Sequence, residues 1–182
     1  IAMFTARNKM YPNSKQTGLY HSRELAAFVS DQSHYSFKSA ANLIGIGADN
    51  LIPVQSDERG RMMPEALEKE MIASLKAGKL PFFVAATAGT TLLGAFDDFE
   101  SIGKITKKYD CHFHIDGSFG GSLILSKNQR YLFEGISSAD SFAWNPHKLM
   151  NVPLVASVIL FNEKNGLKGN LTKLNTDYIF HN

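Results

Sequence analysis

The chain has 182 residues, enough for one domain with a substantial apolar core. Its 19 lysines and arginines against 17 acidic residues give a net charge of +2, spread along the chain rather than gathered in blocks, which argues against a nucleic-acid or membrane partner and for a small-molecule site. A single cysteine, Cys111, excludes an intrachain disulfide and suits a reducing, cytoplasmic setting.

The predicted elements alternate between short β-rich runs and helical patterns, which implies an α/β fold with a mostly parallel sheet between helices. In chain order, a strand is expected over Ala26 to Ser30 and a helix over Ser36 to Ile46, closed by Gly45 and Gly47. A strand over Leu51 to Gln55 leads into the turn Asp57-Glu58-Arg59-Gly60, then a helix over Pro64 to Ala77, with Pro64 suited to its first turn and Gly78 to its end. A strand over Phe82 to Thr87, a helix over Phe99 to Tyr109, and strands over His112 to Asp116, Ser141 to Trp144 and Val155 to Phe161 complete the pattern. The longest apolar stretches, such as Leu154 to Phe161, are far too short to cross a bilayer, and no charged leader followed by an apolar stretch opens the chain. The chain opens on Ile1 and stops on the apolar run Tyr178-Ile179-Phe180-His181-Asn182, so both ends are expected to continue in a longer protein.

Ligands in open α/β sheets gather beyond the carboxyl ends of the strands. Those ends carry Ser33-His34, the run Thr87 to Thr91, Asp116, and Asn145 to Lys148. Lys148 follows the run Phe142-Ala143-Trp144 and so brings an amine to the sheet edge, where desolvation or a nearby positive charge would leave it nucleophilic. Asp116 ends a strand and precedes the small residues Gly117-Ser118, a carboxylate placed to pair with a ring nitrogen or to cap a turn. His34 lies between a strand and a helix, where an imidazole can lie flat against a ring. The run Ala86-Thr87-Ala88-Gly89-Thr90-Thr91 combines hydroxyls with a glycine that permits close backbone approach.

A second constellation points elsewhere. His112, His114 and Asp116 alternate along one strand and project from the same face, as a row of metal ligands would, so a divalent-metal-dependent hydrolase is the alternative reading.

Five strings in order, Ser33-His34-Tyr35-Ser36-Phe37-Lys38, Ala86 to Thr91, Gly94-Ala95-Phe96-Asp97, His114-Ile115-Asp116 and Asn145-Pro146-His147-Lys148, resemble the group II pyridoxal-phosphate-dependent decarboxylases. The likeness runs across nearly the whole chain and is strongest toward the glutamate and cysteine-sulfinate decarboxylase branch. It implies the large domain of the aspartate-aminotransferase type, fold type I, in a homodimer acting on a small amino-acid substrate. It implies pyridoxal 5'-phosphate as cofactor, with Lys148 as the lysine that holds it, Asp116 as partner of the pyridine nitrogen and His34 stacked on the ring. Thr91 matches a hydroxyl beside the ring's oxygen, Asn145 a phosphate contact, and His147 a supporting position. The implied reaction is decarboxylation of an amino acid, glutamate first and cysteine sulfinate or aspartate next, to the amine and carbon dioxide.

The sequence departs from the family pattern at two places. Gly117, Ser118 and Phe119 stand where two alanines and a bulky aromatic are usual, which puts Ser118 on the cofactor face opposite His34. Asn151 replaces a usual glycine, an exchange that matters if the backbone there needs a positive φ. The resemblance also implies that residues 1 to 182 are part of the large domain, without the phosphate-binding loop before it or the small domain after it, so that the chain alone is expected to be inactive.

Overall fold

The computed structural model describes residues 1–20 and 22–163; the apolar run from Tyr178 lies outside them. Two helices, α1 (Ala2–Met10) and α2 (Ser14–Thr17), precede strand β1 (Leu25–Ser30). Then follow α3 (Ser36–Leu43), β2 (Leu51–Val54), α4 (Pro64–Lys76), β3 (Leu80–Thr87), α5 (Phe99–Lys108), β4 (His112–Gly117), β5 (Ser141–Trp144), the single turn α6 (Pro146–Leu149) and β6 (Val158–Phe161). The strands form one sheet in the order β2-β1-β3-β4-β5-β6, parallel throughout except for the antiparallel pair of β5 and β6. The sheet is thus mostly parallel, as the alternation of elements implies.

Alternate residues of the central strands enter different cores, which is why these strands read as continuous apolar runs. Ala26, Phe28, Val84, Ala86, Phe113 and Ile115 pack with α4 and α5 through Leu67, Met71, Phe99 and Ile102. Leu25, Ala27, Val29, Phe83 and Ala85 pack on the other face with Met3 and Ala6 of α1 and Ala41 of α3. Helices on both faces leave the strand ends as the open edges. Asp98 caps α5 by accepting the Ser101 N–H at 3.0 Å, a contact worth about 1 kcal/mol.

The expected elements are present with shifted ends. The helix after β1 stops at Leu43, where Gly45 and Gly47 take positive φ. The last strand begins at Val158 rather than Val155, and Val155 is 84% exposed. Asn151 has φ +53°, so the backbone there does take the conformation in which glycine is favoured and Asn is tolerated.

β2 follows β1 on one side while β3 lies on the other, so the chain reverses its direction of winding between β1 and β3. A crevice opens beyond such a point in a parallel sheet.

Candidate active site

The crevice beyond β1, β3 and β4 is a cavity of about 250 Å³ lined by His34, Thr91, Asp116, Ser118, Asn145 and Lys148, together with Gln32, Ser36, Thr87, Gly89, Thr90 and Phe119. Six of the seven residues singled out for cofactor contact therefore meet in one place, although they span 115 positions of sequence from 34 to 148. A larger cavity, about 560 Å³, opens at the opposite ends of the strands beside Lys9, Asp110, Cys111 and His112, and it gathers no comparable set.

The strand ends are level here. Thr87 of β3 pairs with Asp116 of β4, and Asp116 pairs with Ala143 of β5. Asp116 continues into a tight turn in which the Ser118 N–H donates to its Oδ1 at 3.0 Å, while the Asp116 carbonyl accepts the Ala88 N–H at 2.9 Å. These bonds hold the carboxylate between the loops that follow β3 and β4.

Those two loops touch at glycine. Gly120 N–H donates to the Ala88 carbonyl at 2.9 Å, and a Cβ on Gly89 would stand 2.9 Å from both Cα and N of Gly120. Gly89 also has φ +85°, so both backbone freedom and close approach require glycine there. The loop carrying Thr91 is further pinned by Asp97, which is 4% exposed and accepts the Thr87 N–H and the Met62 N–H, each at 2.7 Å. Burial pushes its carboxyl up to about 6 against those two bonds. Thr90, buried, takes the Ala95 N–H on its hydroxyl at 3.0 Å, leaving the exposed Thr91 to face the cavity.

β5 ends at Trp144, and Asn145 leads into α6, whose first residue is the buried Pro146. A proline suits that position because the first helical N–H has no partner inside the helix. Lys148 stands on this turn, exposed, with its N–H on the Asn145 carbonyl at 3.0 Å. Sequence reading brought Lys148 to the site by the strand itself, and the structure interposes this turn. His147 lies outside the cavity: its Nδ1 is 2.6 Å from the Ala156 carbonyl, so the ring ties α6 to the segment before β6.

The row of His112, His114 and Asp116 is not a metal site. Nε2 of His112 and Nδ1 of His114 each lie 2.8 Å from the hydroxyl of Ser141, and both rings stack on Phe83. Among the described residues no group of three His, Cys, Asp or Glu side chains could hold a metal ion. Burial, above all, holds both imidazoles below their ordinary basicity. The alternation that suggested ligands reflects two neutral imidazoles satisfied by one hydroxyl, which corrects the hydrolase alternative.

Sequence reasoning missed Gln32, Ser36 and Asp97 as parts of the site's framework. Asp97 stood in a quoted string, yet only its burial among backbone N–H groups shows its task. The sequence held a signal for Ser36, a hydroxyl two residues after a loop histidine.

All 182 residues match the family model described as the pyridoxal-dependent decarboxylase conserved domain. The chain is 46% identical over 181 residues to a glutamate decarboxylase of Drosophila melanogaster, covering 98% of this chain and 35% of that protein. It is 42% identical over 179 residues to a cysteine sulfinic acid decarboxylase of Mus musculus, covering 98% of this chain and 36% of that one. A crystal structure of mouse CSAD superposes with a TM-score of 0.91 at 45% identity, over 93% of this chain and 36% of that chain. The chain thus spans about a third of the length of the curated relatives it matches.

Proposed function

Because the chain belongs to the pyridoxal-dependent decarboxylase family, we propose that it is the cofactor-carrying part of an enzyme that decarboxylates an acidic amino acid. The observation that carries this reading is the convergence of an amine, a carboxylate, an imidazole and the hydroxyl residues Thr91 and Ser118 in one cavity. That donor set fits pyridoxal phosphate. Lys148 offers the amine for the aldehyde, Asp116 an anion for the pyridine nitrogen, His34 a flat ring for one face, and Thr91 and Ser118 hydroxyls for the ring oxygen and the other face. Asn145 would contact the phosphate, and His147 would support the turn that presents Lys148.

Bound pyridoxal phosphate supplies a sink for the electrons left behind when carbon dioxide departs. The chain's own part is electrostatic and positional. Asp116 would pair with the ring nitrogen and favour its protonated form, with one carboxyl oxygen steadied by the Ser118 N–H. Lys148, on the turn α6 that follows β5, would present its amine to the cofactor's aldehyde.

Glutamate is the first substrate to test and cysteine sulfinate the second, since the relatives carry those names. Among the described residues Lys148 is the only lysine or arginine lining the cavity. A lysine or arginine for the second acidic group of such a substrate, if one is used, would come from outside this lining. A homodimer and a cytoplasmic setting complete the proposal; the single, buried Cys111 is in keeping with a reducing compartment. No helix among the described residues is long and apolar enough to cross a membrane.

Borohydride reduction of the full-length protein loaded with pyridoxal phosphate, followed by peptide mapping, tests the assignment. The label is expected on Lys148, and a label on a different lysine would sink it.

A further inference from the structure

Two hydrogen-bond donors converge on one nitrogen of His34. The Ser36 N–H points at Nδ1 from 3.3 Å, and the Ser36 hydroxyl lies 2.9 Å from the same atom. A backbone N–H can only donate, so Nδ1 must present its lone pair, and a neutral imidazole then carries its proton on Nε2. Turning the ring over would set a carbon against both donors and cost the Ser36 N–H its acceptor. That N–H belongs to the first residue of α3, where no partner exists inside the helix and where Tyr35 supplies no side-chain cap. The imidazole stands in for the capping oxygen. The Tyr35 ring, with its centroid 4.2 Å from that of His34, packs beside it.

We propose that Ser36 is a positioning residue, fixing His34 as the Nε2–H tautomer so that an N–H donor rather than a lone pair is left to meet an anionic group of the substrate. The inference rests on the reading of the cavity as a pyridoxal-phosphate site. His34 and Ser36 both line that cavity with Lys148 and Asp116, and Nε2 bonds to none of the described residues. With the opposite tautomer the free edge of the ring would present a lone pair to a carboxylate and repel it. Ser36 therefore decides whether the contact is attractive, without touching the substrate itself.

Nitrogen-15 spectra of the imidazoles, recorded on the full-length protein with and without pyridoxal phosphate, read the tautomer directly. For His34 the wild type should show a protonated Nε2 and an unprotonated Nδ1. Ser36→Ala keeps the N–H but removes the shorter of the two bonds, so protonated Nε2 should remain the major form of His34 with a detectable share of the other tautomer, and kcat/KM for glutamate or cysteine sulfinate should fall about threefold. Ser36→Thr keeps the hydroxyl and should bring both readouts back to near the wild-type values. An unprotonated Nε2 in the wild type, or a Ser36→Ala variant with spectrum and kcat/KM both unchanged, overturns the proposal. Failure of the wild type to bind pyridoxal phosphate would instead overturn the reading of the cavity, and the spectra of the cofactor-free protein would still decide the tautomer.

Discussion

The Ser118 N–H donates to Oδ1 of Asp116 at 3.0 Å, which commits one carboxylate oxygen to the backbone and leaves the other for whatever occupies the cavity. In Asp116→Asn the amide oxygen can keep the Ser118 bond, and its NH₂ then faces the place where a protonated ring nitrogen belongs. A donor would oppose a donor, and the anion that favours the proton would be gone. Carbon dioxide release by the full-length variant should fall by about a hundredfold or more, the loss usual when one preorganised charge contact is removed. Retention of the cofactor, followed by its visible absorption, should suffer less. Near-normal turnover would remove Asp116 from this role.

Gly89 offers a test of the framework that uses no charged residue. Alanine there must adopt φ +85° and place a methyl group 2.9 Å from the backbone of Gly120. Neither strain is relieved by turning a side chain, so the loops after β3 and β4 must part. Gly89→Ala should weaken pyridoxal-phosphate binding by roughly tenfold or more, on the scale of a backbone strain of about 1–3 kcal/mol. The same exchange at Gly47, where φ is +85° and nothing stands within 4 Å, carries the strain of φ but no collision and lies away from the cavity. Titration of both variants with the cofactor should separate them; equal affinities would show that the contact of Gly89 with Gly120 does not shape the site.

The parts of the fold legible in the sequence were those in which burial and local preference agree. β1 and β3 are largely runs of apolar residues because both faces of the sheet are covered, and Pro64 and Gly78 mark the ends of α4. α1 was not legible, because its buried side includes Thr5 and Asn8 beside small Ala2 and Ala6, and so lacks an apolar stripe. The start of β6 was misread for the opposite reason: Val155 is apolar yet exposed. At the site, Lys148, Asp116 and His34 could be named because their chemistry and order point to one cofactor. The hydrogen bonds of Asp97 depend on backbone groups brought in from elsewhere, and no spacing encodes them, whereas the contact of Ser36 with His34 spans two residues and was open to reading.

Buried groups of opposite tendency set the response of the fold to acid. Burial first of all holds His112 and His114 below the ordinary imidazole value of 6.5. Around His112, Asp140 and Glu163 favour the charged form and Lys9 opposes it; around His114, Asp116 favours it while His112 and the amino terminus oppose it. The unfolded chain therefore takes up protons at these sites before the folded one, and their contribution to stability, full above 6.5, is lost as pH falls below it. Asp97 behaves in the reverse sense. Its folded value of about 6 lies above the ordinary 3.8, so the folded protein takes the proton first, and stability attached to Asp97 rises as pH falls through that interval. The two tendencies oppose each other, so the wild type should lose less stability on acidification below pH 6.5 than the histidines alone would dictate. Asp97→Asn removes the opposing contribution. At neutral pH it should cost about 1–3 kcal/mol, because an amide NH₂ must face the N–H of either Met62 or Thr87. Its urea midpoint should also fall more steeply on acidification than that of the wild type, while His112→Phe, which keeps a ring on Phe83, should flatten the fall. Parallel curves for wild type and Asp97→Asn would show that Asp97 does not change protonation between its folded and unfolded environments in this range.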